Sequence, residues 1–73
     1  VKLVIAGNHA EYKDYLDRNK LSRSDTHYFN LTYQIMGITD PEVILVGSYK
    51  KRNNLQDLLN IARTRPGVTI AEE

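Results

Sequence analysis

Lys2-Leu3-Val4-Ile5-Ala6-Gly7-Asn8 and Glu42-Val43-Ile44-Leu45-Val46-Gly47-Ser48 follow one pattern: an aliphatic run rich in Val and Ile, a glycine, then a small polar residue. A helical pattern follows each. Apolar residues at consecutive positions, with no polar alternation, mark strands buried on both faces, as in parallel sheets covered by helices. Such strands gather their glycine-ended loops at one edge of the sheet, where ligands of open α/β folds bind.

Outward from the first run, the spacing predicts a strand over Lys2 to Ala6. Asn8 is placed as an N-cap, and Glu11 follows at the capping-box distance. In the helix beyond, Tyr12, Tyr15 and Leu16 form one apolar stripe, and Lys13/Asp17 and Asp14/Arg18 are i,i+4 ion pairs on the wet face. The helix ends at Asn19 or Lys20, and Leu21 folds back onto the core. Thr26 to Phe29 reads as a second strand. There Tyr28 and Phe29, being adjacent, point to opposite faces. Asn30 is placed to cap a short helix over Leu31 to Met36, with Leu31 and Ile35 on one face and Gly37 as its stop.

Around the second run, Thr39 to Glu42 is a turn into a strand over Val43 to Val46. Gly47 to Arg52 is loop. Asn53 or Asn54 caps a last helix, Asn53 and Gln56 repeating the capping-box spacing. Leu55, Leu58, Leu59 and Ala62 follow helical periodicity, and Pro66-Gly67 terminates it. Val68 to Ala71 is a fourth strand, its direction left open. Strands alternating with helices predict one small three-layer α/β domain over residues 1–73. Its mostly parallel four-stranded sheet has order 2-1-3-4 in a flavodoxin-like or Rossmann-like arrangement.

Composition narrows the function classes. The 73 residues include no cysteine, which removes disulfides, thiolate metal sites and a cysteine nucleophile. The net charge of +1 argues for neither nucleic acid nor membrane, so a charged partner needs local clustering. No apolar run approaches the ~20 residues of a membrane span, and the sequence, entering its first strand at once, carries no visible signal peptide, so none is expected. A cytoplasmic protein with no membrane partner is the expectation. Val1 stands where methionine begins most chains and reads either as an alternative start or as a trimmed terminus.

At the expected loop edge, Gly7, Asn8 and His9 open a helix whose N–H groups favour an anion. Gly47, Ser48, Tyr49, Lys50, Lys51 and Arg52 bring the densest positive charge in the chain, and Tyr49 offers a plane for stacking. Together these nine residues read as a pocket for a phosphate, a nucleotide or a nucleic-acid backbone. Each also has a plain structural account: a turn after a buried strand, a helix cap, a solvated charged loop. Gly7-Asn8-His9-Ala10 lacks the later glycines of the dinucleotide fingerprint and the Lys-Ser/Thr of the P-loop.

No catalytic group, metal site or cofactor is assigned. His9 and His27 stand in separate elements without carboxylates at ligand spacing, and Ser48 has no evident base. The expectation is therefore a small non-catalytic module binding a phosphate-bearing ligand or an acidic surface. The alternative is a protein–protein interaction factor, a host-protein binder or a homodimer, using an exposed patch of Tyr33, Tyr49 and Met36. A hydrolase or transferase built on His9 ranks last.

The runs Ile5-Ala6-Gly7-Asn8-His9-Ala10-Glu11-Tyr12, Tyr28-Phe29 and Val43 to Tyr49, with Arg52 and the leucine-rich helix, resemble small uncharacterised α/β proteins encoded by bacteriophages. The likeness covers nearly the whole chain, although its motifs are not specific. It implies a cytoplasmic accessory protein of a phage or mobile element that acts by binding a host protein. It carries over no functional residue.

Overall fold

A computed structural model describes residues 2–73; Val1 lies outside them. The elements are β1 (Lys2–Ile5), α1 (His9–Asn19), β2 (Thr26–Tyr28), β3 (Glu42–Leu45), α2 (Leu55–Arg63) and β4 (Thr69–Glu72). Two 3-10 turns, Thr32–Ile35 and Tyr49–Lys51, follow β2 and β3. The strands form one sheet in the order β2-β1-β3-β4. Every pairing is parallel, with Lys2 opposite both Thr26 and Glu42, and Glu42 opposite Thr69. The direction of the last strand is thereby fixed as parallel to its neighbour.

The continuous apolar runs are explained by burial from both sides. Leu3, Ile5, Val43 and Leu45 point to one face, where Leu58 and Ala62 of α2 cover them with Phe29 and Ile35. Val4, Ala6, Ile44 and Val46 point to the other, under Tyr12, Tyr15 and Leu16 of α1. The two helices therefore lie on opposite faces of the β1–β3 pair. Phe29 and Tyr28 divide as strand alternation requires: Phe29 is fully buried on the α2 face, and Tyr28 is half-buried against the α1 face.

Helix α1 begins where Asn8 Oδ1 accepts the Glu11 N–H at 2.9 Å. It ends at Lys20, whose left-handed backbone returns its N–H to the carbonyls of Leu16 and Asp17. Arg18 bridges Asp14 at 2.9 Å on the exposed face, whereas Lys13 and Asp17 form no bridge. In α2, Leu58 and Ala62 are buried while Leu55, Leu59 and Ile61 are partly so.

Several expected elements differ. The helix over Leu31 to Met36 is the four-residue 3-10 turn Thr32–Ile35, in keeping with two poor helix formers and too short a span to repay nucleation. Asn30 does not cap it; Gln34 Oε1 instead accepts the N–H groups of Asn30 and Leu31, each at 2.8 Å. Three residues per turn separate Leu31 from Ile35, leaving Ile35 buried and Leu31 exposed. The Asn53/Gln56 capping box does not form. Gln56 donates to Asn60, and Asn54, at the N-cap position, donates to the Asn30 carbonyl at 2.7 Å. The fourth strand starts one residue later than expected and is exposed along its length.

Phe29 is the largest fully buried side chain and joins β2 to the α2 layer. Phe29→Ala is expected to cost about 3–5 kcal/mol. That is most of the stability available to a domain of this size. Urea denaturation of the variant should show loss or near-loss of the folded baseline; a midpoint shift equivalent to less than ~1 kcal/mol would contradict this packing.

Candidate functional site at the C-terminal edge of the sheet

Because β1 and β3 are parallel neighbours with helices on opposite faces, the loops leaving their C-terminal ends face each other across a narrow crevice, which the Glu11 side chain fills. Gly7 to His9 lines one side, and Gly47 to Arg52 the other. The loops approach closely. A Cβ on Gly7 would fall 2.1 Å from Ser48 Oγ and 2.9 Å from the Ser48 carbonyl oxygen. Gly47 has φ +57°, and a Cβ there would fall 2.5 Å from Glu11 Oε2. The positive φ favours glycine at Gly47, and a Cβ there would force the Glu11 carboxylate out of its present place.

Between the glycines lies the carboxylate of Glu11. Ser48 N–H donates to Oε2 at 3.1 Å, and Ser48 Oγ donates to Oε1 at 2.6 Å. These bonds join residues 37 positions apart in sequence. They lower the Glu11 pKa from 4.5: the Ser48 hydroxyl contributes most, then the Ser48 N–H, while burial opposes them. The Gly7 backbone and the Lys51 charge lower it further. Glu11 is therefore firmly ionised and a weak base, so its contact with Ser48 does not make that hydroxyl a nucleophile.

Capping-box spacing assigns Glu11 a local role, reaching back to Asn8. Only half of that box exists: Asn8 caps the helix, and Glu11 turns across the crevice to Ser48. The available sequence signal was a carboxylate in the first helical turn after one glycine-closed strand, with a Gly-Ser pair closing another.

The other expected site residues divide into three groups. Asn8, His9, Lys50 and Lys51 are exposed on the two loops. Neither lysine takes part in a salt bridge. Arg52 is half-buried and engaged: its guanidinium lies 5.3 Å from the Tyr28 ring centroid and donates to the Tyr28 hydroxyl and, at 3.5 Å, to the Asn30 carbonyl. Tyr49 departs from expectation. Its 3-10 turn directs the ring into the α2-face core at 8% exposure, so it offers neither an open stacking plane nor a partner patch.

The His9 ring packs against Tyr12 and Tyr28 at centroid distances of 5.5 and 5.3 Å. Tyr28, His9 and Tyr12 thus form a cluster of tilted and edge-on rings, with Arg52 over Tyr28. His27 is exposed on β2. Among the described residues no group of three or more His, Asp or Glu side chains is placed to hold a metal ion. The described residues also enclose no pocket, so the edge is an open surface.

A separate feature lies on the turn after β2. Leu31, Tyr33 and Met36 are 44%, 68% and 66% exposed, three large apolar side chains within six residues. No protein-family model, curated protein or solved structure matches this chain.

The Glu11 clamp ties stability to acidity. A carboxylate whose folded-state pKa is depressed contributes stability that is complete above its ordinary value and disappears as pH falls through the folded value. Wild type should therefore exceed Glu11→Gln in urea midpoint at neutral pH, and the gap should close below pH 4.5. A gap that persists unchanged into strong acid would show that the clamp does not act through its charge.

Proposed function

We propose that this chain is a non-catalytic binding module that holds a phosphate-bearing ligand on the C-terminal edge of its sheet. Lys50 and Lys51 supply exposed positive charge, Gly7, Asn8 and His9 present the start of α1, and Gly47 and Ser48 form the opposite lip. Arg52 supports this edge through Tyr28 and Asn30. The observation that carries the proposal is the parallel adjacency of β1 and β3, which brings two loops distant in sequence to one edge. An open edge with no enclosed pocket suits an extended phosphate chain or backbone better than a small molecule needing enclosure. Following the resemblance to bacteriophage proteins, we place the module in the bacterial cytoplasm. In the structure itself, no described helix is long and apolar enough to cross a membrane.

Inorganic tripolyphosphate is a direct probe, read by calorimetry and by amide NMR shifts at Gly7 to His9 and Gly47 to Lys51. Wild type is expected to bind it with an affinity that falls as salt rises. Lys50→Ala/Lys51→Ala, which removes two exposed side chains and the Lys50 contact 6.0 Å from the Tyr49 ring centroid, should weaken binding at least tenfold. Equal affinity in that variant, or binding indifferent to salt, would overturn the proposal.

A second reading is carried by the exposed Leu31, Tyr33 and Met36, because exposed Tyr and Met side chains near one another in sequence are characteristic of protein contacts. It makes the chain an interaction factor that pairs with itself or with a host protein. In its self-pairing form, light scattering should give a dimer that Tyr33→Ser/Met36→Ser dissociates without loss of helical signal. A monomer at all concentrations would remove that form.

A further inference from the structure

The crevice already contains an anion. Glu11 takes both donors of Ser48, at 3.1 Å from the backbone nitrogen and 2.6 Å from the hydroxyl. The space it fills exists because Gly7 and Gly47 have no side chains: a Cβ on Gly7 would lie 2.4 Å from Oε1, and one on Gly47 2.5 Å from Oε2. A backbone N–H, a hydroxyl and a nearby lysine are the groups a protein offers to a phosphate oxygen. Here the Ser48 N–H and hydroxyl converge on a carboxylate supplied by the protein's own helix, with Lys51 outside salt-bridge distance but on the same loop. Glu11 is only partly buried, so its carboxylate lies within reach of water.

We propose that Glu11 is an internal competitor, occupying the seat of the incoming phosphate group, and that ligand binding at this edge proceeds by displacing it. The inference rests on the binding function proposed above and adds its regulation. Displacement exchanges one set of charge-assisted hydrogen bonds for another, so affinity is set by the difference between phosphate and carboxylate. An anion too weak to outcompete Glu11 is rejected. The seat is never left with unpaired donors in the free protein. Linkage makes the effect reciprocal: bound phosphate releases Glu11 to an ordinary aqueous environment, and neutralising Glu11 tightens phosphate. The charged neighbour acting on Glu11 is Lys51, which remains to attract either anion.

The test compares tripolyphosphate binding to wild type, Glu11→Gln, Lys50→Ala/Lys51→Ala and Asp17→Asn, by calorimetry and by the Ser48 amide shift. Glu11→Gln should bind about tenfold more tightly, the ratio expected when a charged competitor becomes neutral. It should also move the Ser48 amide further. Asp17→Asn changes net charge equally on an exposed part of α1 and should leave affinity unchanged. If Glu11→Gln binds no more tightly than wild type while the lysine variant binds more weakly, the binding function stands and displacement is overturned. The same holds if Asp17→Asn tightens binding as much as Glu11→Gln. If no form of the protein binds, the binding function is overturned and the competitor role with it.

Should Glu11→Gln fail to fold, the wild type supplies the answer through NMR titration of the Glu11 carboxyl carbon. Saturating tripolyphosphate should return its depressed pKa to the ordinary carboxylate range. A depressed pKa that persists under saturation would overturn displacement.

Discussion

Everything at the loop edge depends on the parallel pairing of β1 with β3. Four register pairs, from Lys2 opposite Glu42 to Ile5 opposite Leu45, fix these strands side by side. Their side chains then have no solvent-facing alternative. Leu3 and Val43 must be covered on one face and Val4 and Ile44 on the other, which demands a helix layer on each. A shift of one residue in either strand would exchange the two sets of side chains between faces. The same pairing delivers Gly7 and Gly47 to one place, and their missing side chains permit the approach of the two loops.

Glu11 is the polar counterpart of that hydrophobic pairing. It is anchored in a helix covering one face and holds the loop that leads to the other face. A carboxylate at this point satisfies donors that would otherwise face the crevice unpaired. It also fixes the Ser48 end of the 3-10 turn from which Lys50 and Lys51 project. Arg52 provides the second tie, across Tyr28 to the exit of β2. Two of the three consecutive cations are thus presented to solvent while the third is structural. Charge counted along the sequence does not distinguish those roles.

Much of the architecture is legible in the residue order, for physical reasons. Unbroken aliphatic runs occur where both faces are buried, so β1 and β3 declare themselves and their central position. Leu58 and Ala62 lie one helical turn apart and meet the core together. The division of Phe29 from Tyr28 follows from the pleat. The failures share a cause, which is contact between distant segments. Capping-box spacing points Glu11 at Asn8, but a serine 37 residues away offers two donors and wins. Tyr49 lies between a polar residue and three cations, and nothing local signals that a tight turn carries it under α2. Leu31 and Ile35 share a face only at the pitch of an α-helix, which this segment does not adopt.

The Asn30 carbonyl receives side-chain donors from both Arg52 and Asn54. It thereby joins the end of a three-residue edge strand to the residues that lead into α2. An edge strand so short has little ladder of its own to resist fraying. Its resistance to solvent exchange consequently draws on the approach to a helix late in the sequence, which couples the opening of the two segments.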